Sequence, residues 1–510
     1  MSGRRSAGQT GRQIQIPPPV GGLNARDSIA NMPPQDALTL DNIFPEASYG
    51  RVRYGYEVHA TGLPGAVETL MEWSGTSRKF FAASGTAIYD VSSAGAVGAA
   101  SLSGLTNAKW QFVNFTTPGG NFLVCVNGAD GVRTYNGTTW ASSAITGMTA
   151  ANAAQVAVWG NRLWFAENNS TKAWYLPTSS IAGAAASIEL GSVWRLGGTL
   201  ARIVSASFDT MGQGLSDFIG FLSTNGELAV YTGNDPATVG TFALVGRFRM
   251  GAPIGTRCSY QSGGDVAIIT NDGVLSMMQM LRVDRTEAPR AAITDKIARL
   301  FSSDADAYST LSGWQIIGYP ARHMVIVNVP TSSTTAQQYV MNAISGAWCR
   351  YTNINAACWG LFSNNLYFGA QSGGVVYKAE TGQTDNTANI SYAWKSAFNG
   401  CGNAAVIKRF TLMRPILTVN STVNPTLGVD VDYGEGDLTS TSTVAVTGPT
   451  WDGSVWDAAV WGGASLNAAP WSSVGKVGRT VAVRLAGQVR GVEMAINAAD
   501  LVFEPGRLSL

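Results

Sequence analysis

The sequence predicts an all-β protein: a β-propeller of six to seven blades carrying a helical insertion, followed by a C-terminal antiparallel β-sandwich-like domain. A unit of apolar strand, tight turn and second strand ending in an aromatic recurs between about residues 61 and 380. The repeat then stops, and long alternating strands occupy residues 381–510. Helical patterning is confined to a short stretch at Gln35–Asn42 and an insertion at residues 281–314.

The repeat carries the propeller assignment. Its copies are KFFAASGTAIYDV from Lys79, NFLVCVNGADGVRTYNGTTW from Asn121, RLWFAENNSTKAWYL from Arg162, DFIGFLSTNGELAVYTG from Asp217, DVAIITNDGVLSMM from Asp265, HMVIVNVPTSSTTAQQYVMNAISGAWCRY from His323 and NLYFGAQSGGVVYKA from Asn365. Several place Asn-Gly, Asp-Gly or Gly-Gly at the turn, where a two-residue hairpin loop needs positive φ. Recurrence at intervals of roughly 40–60 residues is the spacing of four-stranded blades with insertions. Two stacked β-sandwiches would show similar strands without that period. Upstream segments such as AKWQFVNF from Ala108 and AACWGLF from Ala356 fit innermost blade strands.

The other elements follow in chain order. Residues 1–20 read as a flexible basic arm ending at Pro17–Pro19, and residues 21–60 as a platform or docking segment. In that segment Gln35–Asn42 is expected to form a short helix and Tyr49–Tyr56 a strand. Asp209–Asp217 reads as a polar loop. In residues 281–314 the apolar positions Ile293, Ile297, Leu300 and Phe301 share a helical face behind possible caps at Thr294 or Asp295. Thr381–Ala388 reads as a linker, and residues 381–510 as a separate β-domain with a Trp-rich loop at 450–471.

Composition excludes several functions. Charged residues make up 13% of the chain, about half the usual share, and net charge is +1, so no global field draws it to nucleic acid or anionic lipid. The start is basic and polar without an apolar core, so no secretory signal is expected. No run of about 18 apolar residues predicts a membrane span. Five cysteines without C-x-x-C spacing read as buried free thiols, and no cofactor is expected.

Catalytic material is scarce. His59 and His323 are the only histidines, and nucleophile-elbow, zincin, P-loop and dinucleotide motifs are absent. No enzyme is therefore expected. The acidic run Asp430, Asp432, Glu435, Asp437 offers oxygen ligands for a cation such as Ca²⁺, or simply a polar strand face entering a turn. In TWDGSVWDAAVWGGASLNAAPW the residues Trp451, Trp456, Trp461 and Trp471 serve either as interface anchors or as a self-packed loop. Sugar stacking is a third use.

Gly21-Gly22-Leu23-Asn24-x-Arg26-Asp27, Met32-Pro33-Pro34-x-Asp36-Ala37, Leu40-Asp41-Asn42, Phe44-Pro45 and Arg51-x-Arg53-x-Gly55 together resemble the opening of the tail nozzle (tail tubular or tail knob) proteins of short-tailed bacteriophages. GAPIGTRCSYQSGGDVAIITNDGVLS from Gly251 and the Trp-Asp repeat at Trp451 are similar to that family's propeller and C-terminal regions. The resemblance implies a virion protein assembled in the host cytoplasm, six copies of which form a ring below the adaptor and continue the portal channel. Double-stranded DNA passes through such a ring, and fibres or spikes attach to its flank. It also implies that Gly21, Gly22, Leu23, Asn24, Arg26, Asp27, Phe44, Arg51, Arg53 and the four tryptophans lie at subunit or adaptor interfaces. The readings that compete with it are a carbohydrate-binding propeller and a polysaccharide hydrolase.

Overall fold

The computed structural model describes residues 11–209, 215–233, 235–238, 240–281, 291–436, 438, 440–444 and 465–506. The chain forms two compact units. One comprises Val58–Gln338 and Asn353–Ala379; the other comprises Met1–Glu57, Tyr339–Thr352 and Glu380–Leu510.

The first unit is a β-propeller with seven blades among the described residues. Blades 1 to 4 have four strands each and begin at Val67–Trp73, Gln111–Thr117, Ala153–Trp159 and Leu200–Asp209. Blade 5 pairs Ser259–Ser262, Asp265–Thr270 and Gly273–Ser276. Blade 6 starts with Gln315–Tyr319 and Met324–Pro330, and blade 7 with Ala356–Phe362, Asn365–Ala370 and Val376–Ala379. Beyond Val376–Ala379 blade 7 continues with Tyr56–Thr61, a strand from before blade 1, and ends in the short strand Gly95–Ala96. Ala356–Phe362 also lies against Val67–Trp73, so the last blade returns to the first and the ring closes.

Each hairpin read from the sequence supplies the second and third strands of a blade. Because side chains alternate across a strand, every blade has two apolar faces, and the cores lie between blades. Met71, Phe81, Trp110, Leu123 and Tyr135 join blades 1 and 2; Trp159, Trp164, Phe221 and Tyr231 join blades 3 and 4; Val67, Phe80, Cys358 and Tyr367 join blades 7 and 1.

The helical insertion follows the third strand of blade 5. A 3-10 turn at Asp295–Ile297 leads into the helix Ala298–Tyr308, which buries Phe301 and Ala305 beside Ile297. Leu300 stays partly exposed, and Thr294 makes no side-chain cap; its hydroxyl accepts from the Val274 N–H at 3.1 Å instead. The expected loop at Asp209–Asp217 shrinks, because Leu200–Asp209 and Leu215–Ser223 are both strands and only residues 210–214 fall outside the description.

The second unit is a pair of sheets drawn from both ends of the chain. One sheet runs Ile43–Pro45, Gly50–Val52, Met494–Pro505, Lys408–Val419 and Ser465–Ala468, with Arg12–Ile16 also on Met494–Pro505 and Ser472–Gly478 also on Lys408–Val419. Along Lys408–Val419 the residues Phe410, Met413, Leu417 and Val419 are buried, while alternate positions reach solvent. In the other sheet Asp36–Asp41, Ile390–Ser396, Val481–Val489 and Thr426–Val431 are successive neighbours. Ile390–Ser396 alternates strictly, burying Ile390, Tyr392 and Trp394.

Three sequence expectations are corrected in this unit. Residues 12–16 of the expected arm form a strand, with Arg12 opposite Phe503 and Ile16 opposite Ala499. Gln35–Asn42 is not helical: Asp36–Asp41 is a strand between Ile390–Ser396 and Gly22–Leu23, and tertiary pairing satisfies its backbone while burying Ala37 and Leu40. Thr381–Ala388 is no linker, since Asp385 is buried and ion-paired.

Candidate functional site

The motif residues of 21–57 converge on the interior of the second unit. Gly22 has φ +80°, and a Cβ there would lie 2.6 Å from the Trp348 carbonyl oxygen, so both conformation and space require glycine. Leu23 is buried beside it. Asn24 closes an Asx turn: its Oδ1 accepts from the Arg26 and Asp27 N–H groups at 3.0 Å, and its Nδ2 donates to Asp36 at 2.7 Å. Arg26 and Asp27 form an ion pair of 2.7 Å at the surface.

Arg53 organises a buried polar cluster. Its side chain is fully buried, and its Nη1 and Nη2 donate to the two Asp385 oxygens at 2.7 and 2.6 Å. Nε donates to Asn42 Oδ1 at 2.8 Å, and the Tyr54 and Thr352 carbonyls accept at 3.0 and 3.2 Å. Three separated chain segments are thereby fixed together. Arg51 is only partly buried, pairs with Glu46 at 3.1 Å and lies 4.3 Å from the Tyr54 ring centroid. It borders a cavity of about 340 Å³ shared with Tyr49, Gln383 and Glu493.

These positions revise the expected interface set. Gly22, Leu23, Asn24, Phe44 and Arg53 are internal and hold the unit together, because burial leaves them no surface for a partner. Arg26, Asp27, Arg51 and Trp471 keep solvent access, and Gly21 is partly exposed. Trp451, Trp456 and Trp461 lie outside the described residues. Trp471 is 36% exposed, with the Arg414 guanidinium 4.5 Å from its ring centroid. Leu412, Val477 and Ile407 are exposed by 36%, 60% and 50%. Leu412 and Val477 sit on neighbouring strands, where Leu412 pairs with Ser473 and Arg409 with Val477.

The acidic run is claimed by protein cations rather than arranged around an open centre. Asp430 is buried, with Lys395 Nζ at 2.6 Å, Arg484 at 3.5 Å and the Gly436 N–H at 2.8 Å. Asp432 accepts from the Arg479 and Thr480 N–H groups. Among the described residues no group of three His, Cys, Asp or Glu could hold a metal, and Asp437 lies outside them. His59 Nε2 meets the Val91 carbonyl at 2.8 Å, and His323 occupies a left-handed turn. All five cysteines are buried free thiols; burial pushes Cys358 up to about 11.

The propeller channel is lined by polar side chains that sequence reasoning did not single out. Gln155 donates to the Ile203 carbonyl at 2.8 Å and accepts from the Ile203 N–H at 2.6 Å, locking blade 3 to blade 4. Gln315 makes the same pair of hydrogen bonds to the Trp359 backbone, donating to its carbonyl at 2.8 Å and accepting from its N–H at 2.9 Å, locking blade 6 to blade 7. The Thr69 hydroxyl links blades 1 and 2 through Ala108 and Trp110. The available signal was a glutamine inside otherwise apolar inner strands, AAQVAVW and QIIGY. Inner-strand polar residues leave a cavity of about 380 Å³ in the channel, bordered by Gln111, Asn114, Gln155, Arg202, Ser205 and Gln261 among others. No helix among the described residues is long and apolar enough to cross a membrane.

No protein-family model matches the sequence, and no curated protein does. Among solved structures the chain is similar to BBS1N in its complex with ARL6DN, at 12% identity and TM-score 0.39, over 65% of this chain and 98% of that one. It is similar to the WD40 β-propeller domain of Doa1 at 11% identity and TM-score 0.37, over 64% and 96%. An exo-β-1,3-galactanase from Phanerochaete chrysosporium aligns at 9% identity and TM-score 0.26, over 76% and 95%.

Proposed function

We propose that this protein is a non-catalytic structural subunit of a phage tail nozzle, a homohexameric ring that continues the portal and adaptor channel and conducts DNA during ejection. The observation that carries the assembly reading is the set of solvent-facing apolar side chains on the second unit, Leu412, Val477, Ile407 and Trp471. Exposing such groups in a sheet is unfavourable unless a partner covers them. A second copy of the chain is the partner that ring formation requires. The motif resemblance at Gly21–Gly55 supplies the family, and its buried members support a shared unit-building role rather than a recognition role. Low charge density suits a wall that DNA slides past, since phosphate binding needs clustered Lys and Arg. Adaptor docking, fibre or spike attachment and virion localisation belong to the same proposal.

The test is assembly of the purified full chain, followed by mass photometry and negative-stain electron microscopy, alone and with a cognate adaptor. Rings of six are expected, with Val477→Asp and Leu412→Asp shifting the population toward monomer while far-UV spectra stay unchanged. A wild-type chain that remains monomeric at every soluble concentration and with adaptor present would refute the reading.

A further inference from the structure

The outer edge of blade 4 differs from those of the blades before it. Phe242–Arg249 is eight residues long, whereas the outermost strands of blades 1 to 3, Leu102–Ser103, Trp140–Ser142 and Ala186–Glu189, have two, three and four. It pairs with Glu227–Gly233 on one side and with no described strand on the other. A long open edge leaves a row of backbone N–H and C=O groups that a further strand can join. Its side chains leave that edge open to solvent. Leu244 and Val245 are exposed by 39% and 52%, and Arg247 and Arg249 are exposed as well.

Register sets which side chains share a face. Leu244 stands opposite Tyr231, Arg247 opposite Ala229 and Arg249 opposite Glu227, so all three lie on one face, and Val245 is the extra residue of a bulge. The segment of residues 193–196 runs beside that face. Arg247 Nη1 donates to the Val193 carbonyl at 3.0 Å, and the Arg195 and Leu196 N–H groups donate to Glu227 Oε2 at 2.7 and 2.8 Å. A surface cavity of about 510 Å³ is bordered by Arg195, Glu227, Leu244, Val245, Arg247 and Arg249. Glu227 is 3% exposed and already holds those two N–H groups. Among the described residues, no carboxylate lies within ion-pair distance of Arg195, Arg247 or Arg249.

We propose that the outer edge of blade 4 takes up an extended acidic segment of a partner protein as a fifth strand. Its carboxylates meet Arg195, Arg247 and Arg249, and its apolar side chains cover Leu244 and Val245. Charge complementarity selects this occupant. A second copy of the same edge brings three more arginines, and like charges oppose that pairing. Nucleic acid would use the arginines but leave the apolar pair and the strand edge unused. An acidic strand uses all of them, with main-chain hydrogen bonds supplying affinity and alternate side chains supplying specificity. The seat belongs to blade 4 alone and neither needs nor tests ring assembly.

The experiment is fluorescence anisotropy of the full chain with a labelled peptide of alternating valine and glutamate, beside the same peptide with lysine for glutamate. Saturable binding of the glutamate peptide that weakens with added salt is expected, with the lysine peptide at least about tenfold weaker. Arg247→Glu/Arg249→Glu should reverse that preference while the far-UV spectrum and Tm stay unchanged. Of two glutamate peptides N-methylated at one or the other set of alternate residues, at least one should lose binding, because strand pairing needs the N–H groups on one side. No binding to the wild type, equal binding of the glutamate and lysine peptides, or full binding by both N-methylated peptides overturns the proposal. So does a duplex oligonucleotide that binds more tightly than the glutamate peptide and is lost in the same variant, or self-association of the wild type that the variant removes.

Discussion

Replacing Arg53 with alanine should destabilise the unit built from both chain ends by about 3–5 kcal/mol. The magnitude follows from what is left behind. Asp385 is 6% exposed and would be left without its bidentate partner, since both its oxygens face Arg53 at 2.6 and 2.7 Å. Asn42 Oδ1 keeps the Thr352 N–H at 2.9 Å and loses less. A loss of that size is a large share of a domain stability of about 5–15 kcal/mol. The assay is guanidinium unfolding read by hydrogen exchange in Ile390–Ser396, which pairs directly with Asp36–Asp41. Arg53→Met combined with Asp385→Leu should recover part of the loss, because the pair is then replaced by apolar volume rather than broken. If Arg53→Ala unfolds within 1 kcal/mol of wild type, estimated to order of magnitude, the cluster is not the fastener described above.

Three further outcomes follow from other sites. Gln155→Leu should lower the propeller's stability by roughly 2–4 kcal/mol, because it strands a buried N–H and a buried carbonyl of Ile203; an unchanged thermal midpoint would contradict it. Gly22→Ala should reduce folded yield and melting temperature through left-handed strain plus the clash with the Trp348 carbonyl, whereas Gly104→Ala meets only the strain, since nothing lies near its Cβ. Asp130 has its pKa lowered: burial pushes it up, but hydrogen bonds from the Thr106 N–H, Asn127 and the Thr106 hydroxyl outweigh that. Its folded value lies below the unfolded one of about 3.9, so its contribution is present above that pH and is lost as pH falls through the folded value. Asp130→Asn should therefore flatten the acid limb of a melting-temperature profile, and an identical limb would count against the assignment.

Local periodicity determined the all-β class, the propeller and its hairpins. Strands such as Lys79–Ser84 and Asn365–Ala370 are fixed by apolar runs and turn residues that act over a few positions. The glycine at 22 and the Arg53 motif were also legible, though as a pattern without a mechanism. What they do is non-local: Arg53 meets Asp385 across 332 positions. The same distance explains why Gln35–Asn42 misread as helix, since its partners arrive from residues 390–396. Nothing in ARIVS or TRCSY marks Arg202 for Gln111 or Arg257 for Thr69, because only closing a seven-bladed ring brings blade 4 to blade 2 and blade 5 to blade 1. Alternation along one strand is written in the sequence, whereas the company a buried charge keeps is set by which strands the ring places opposite one another.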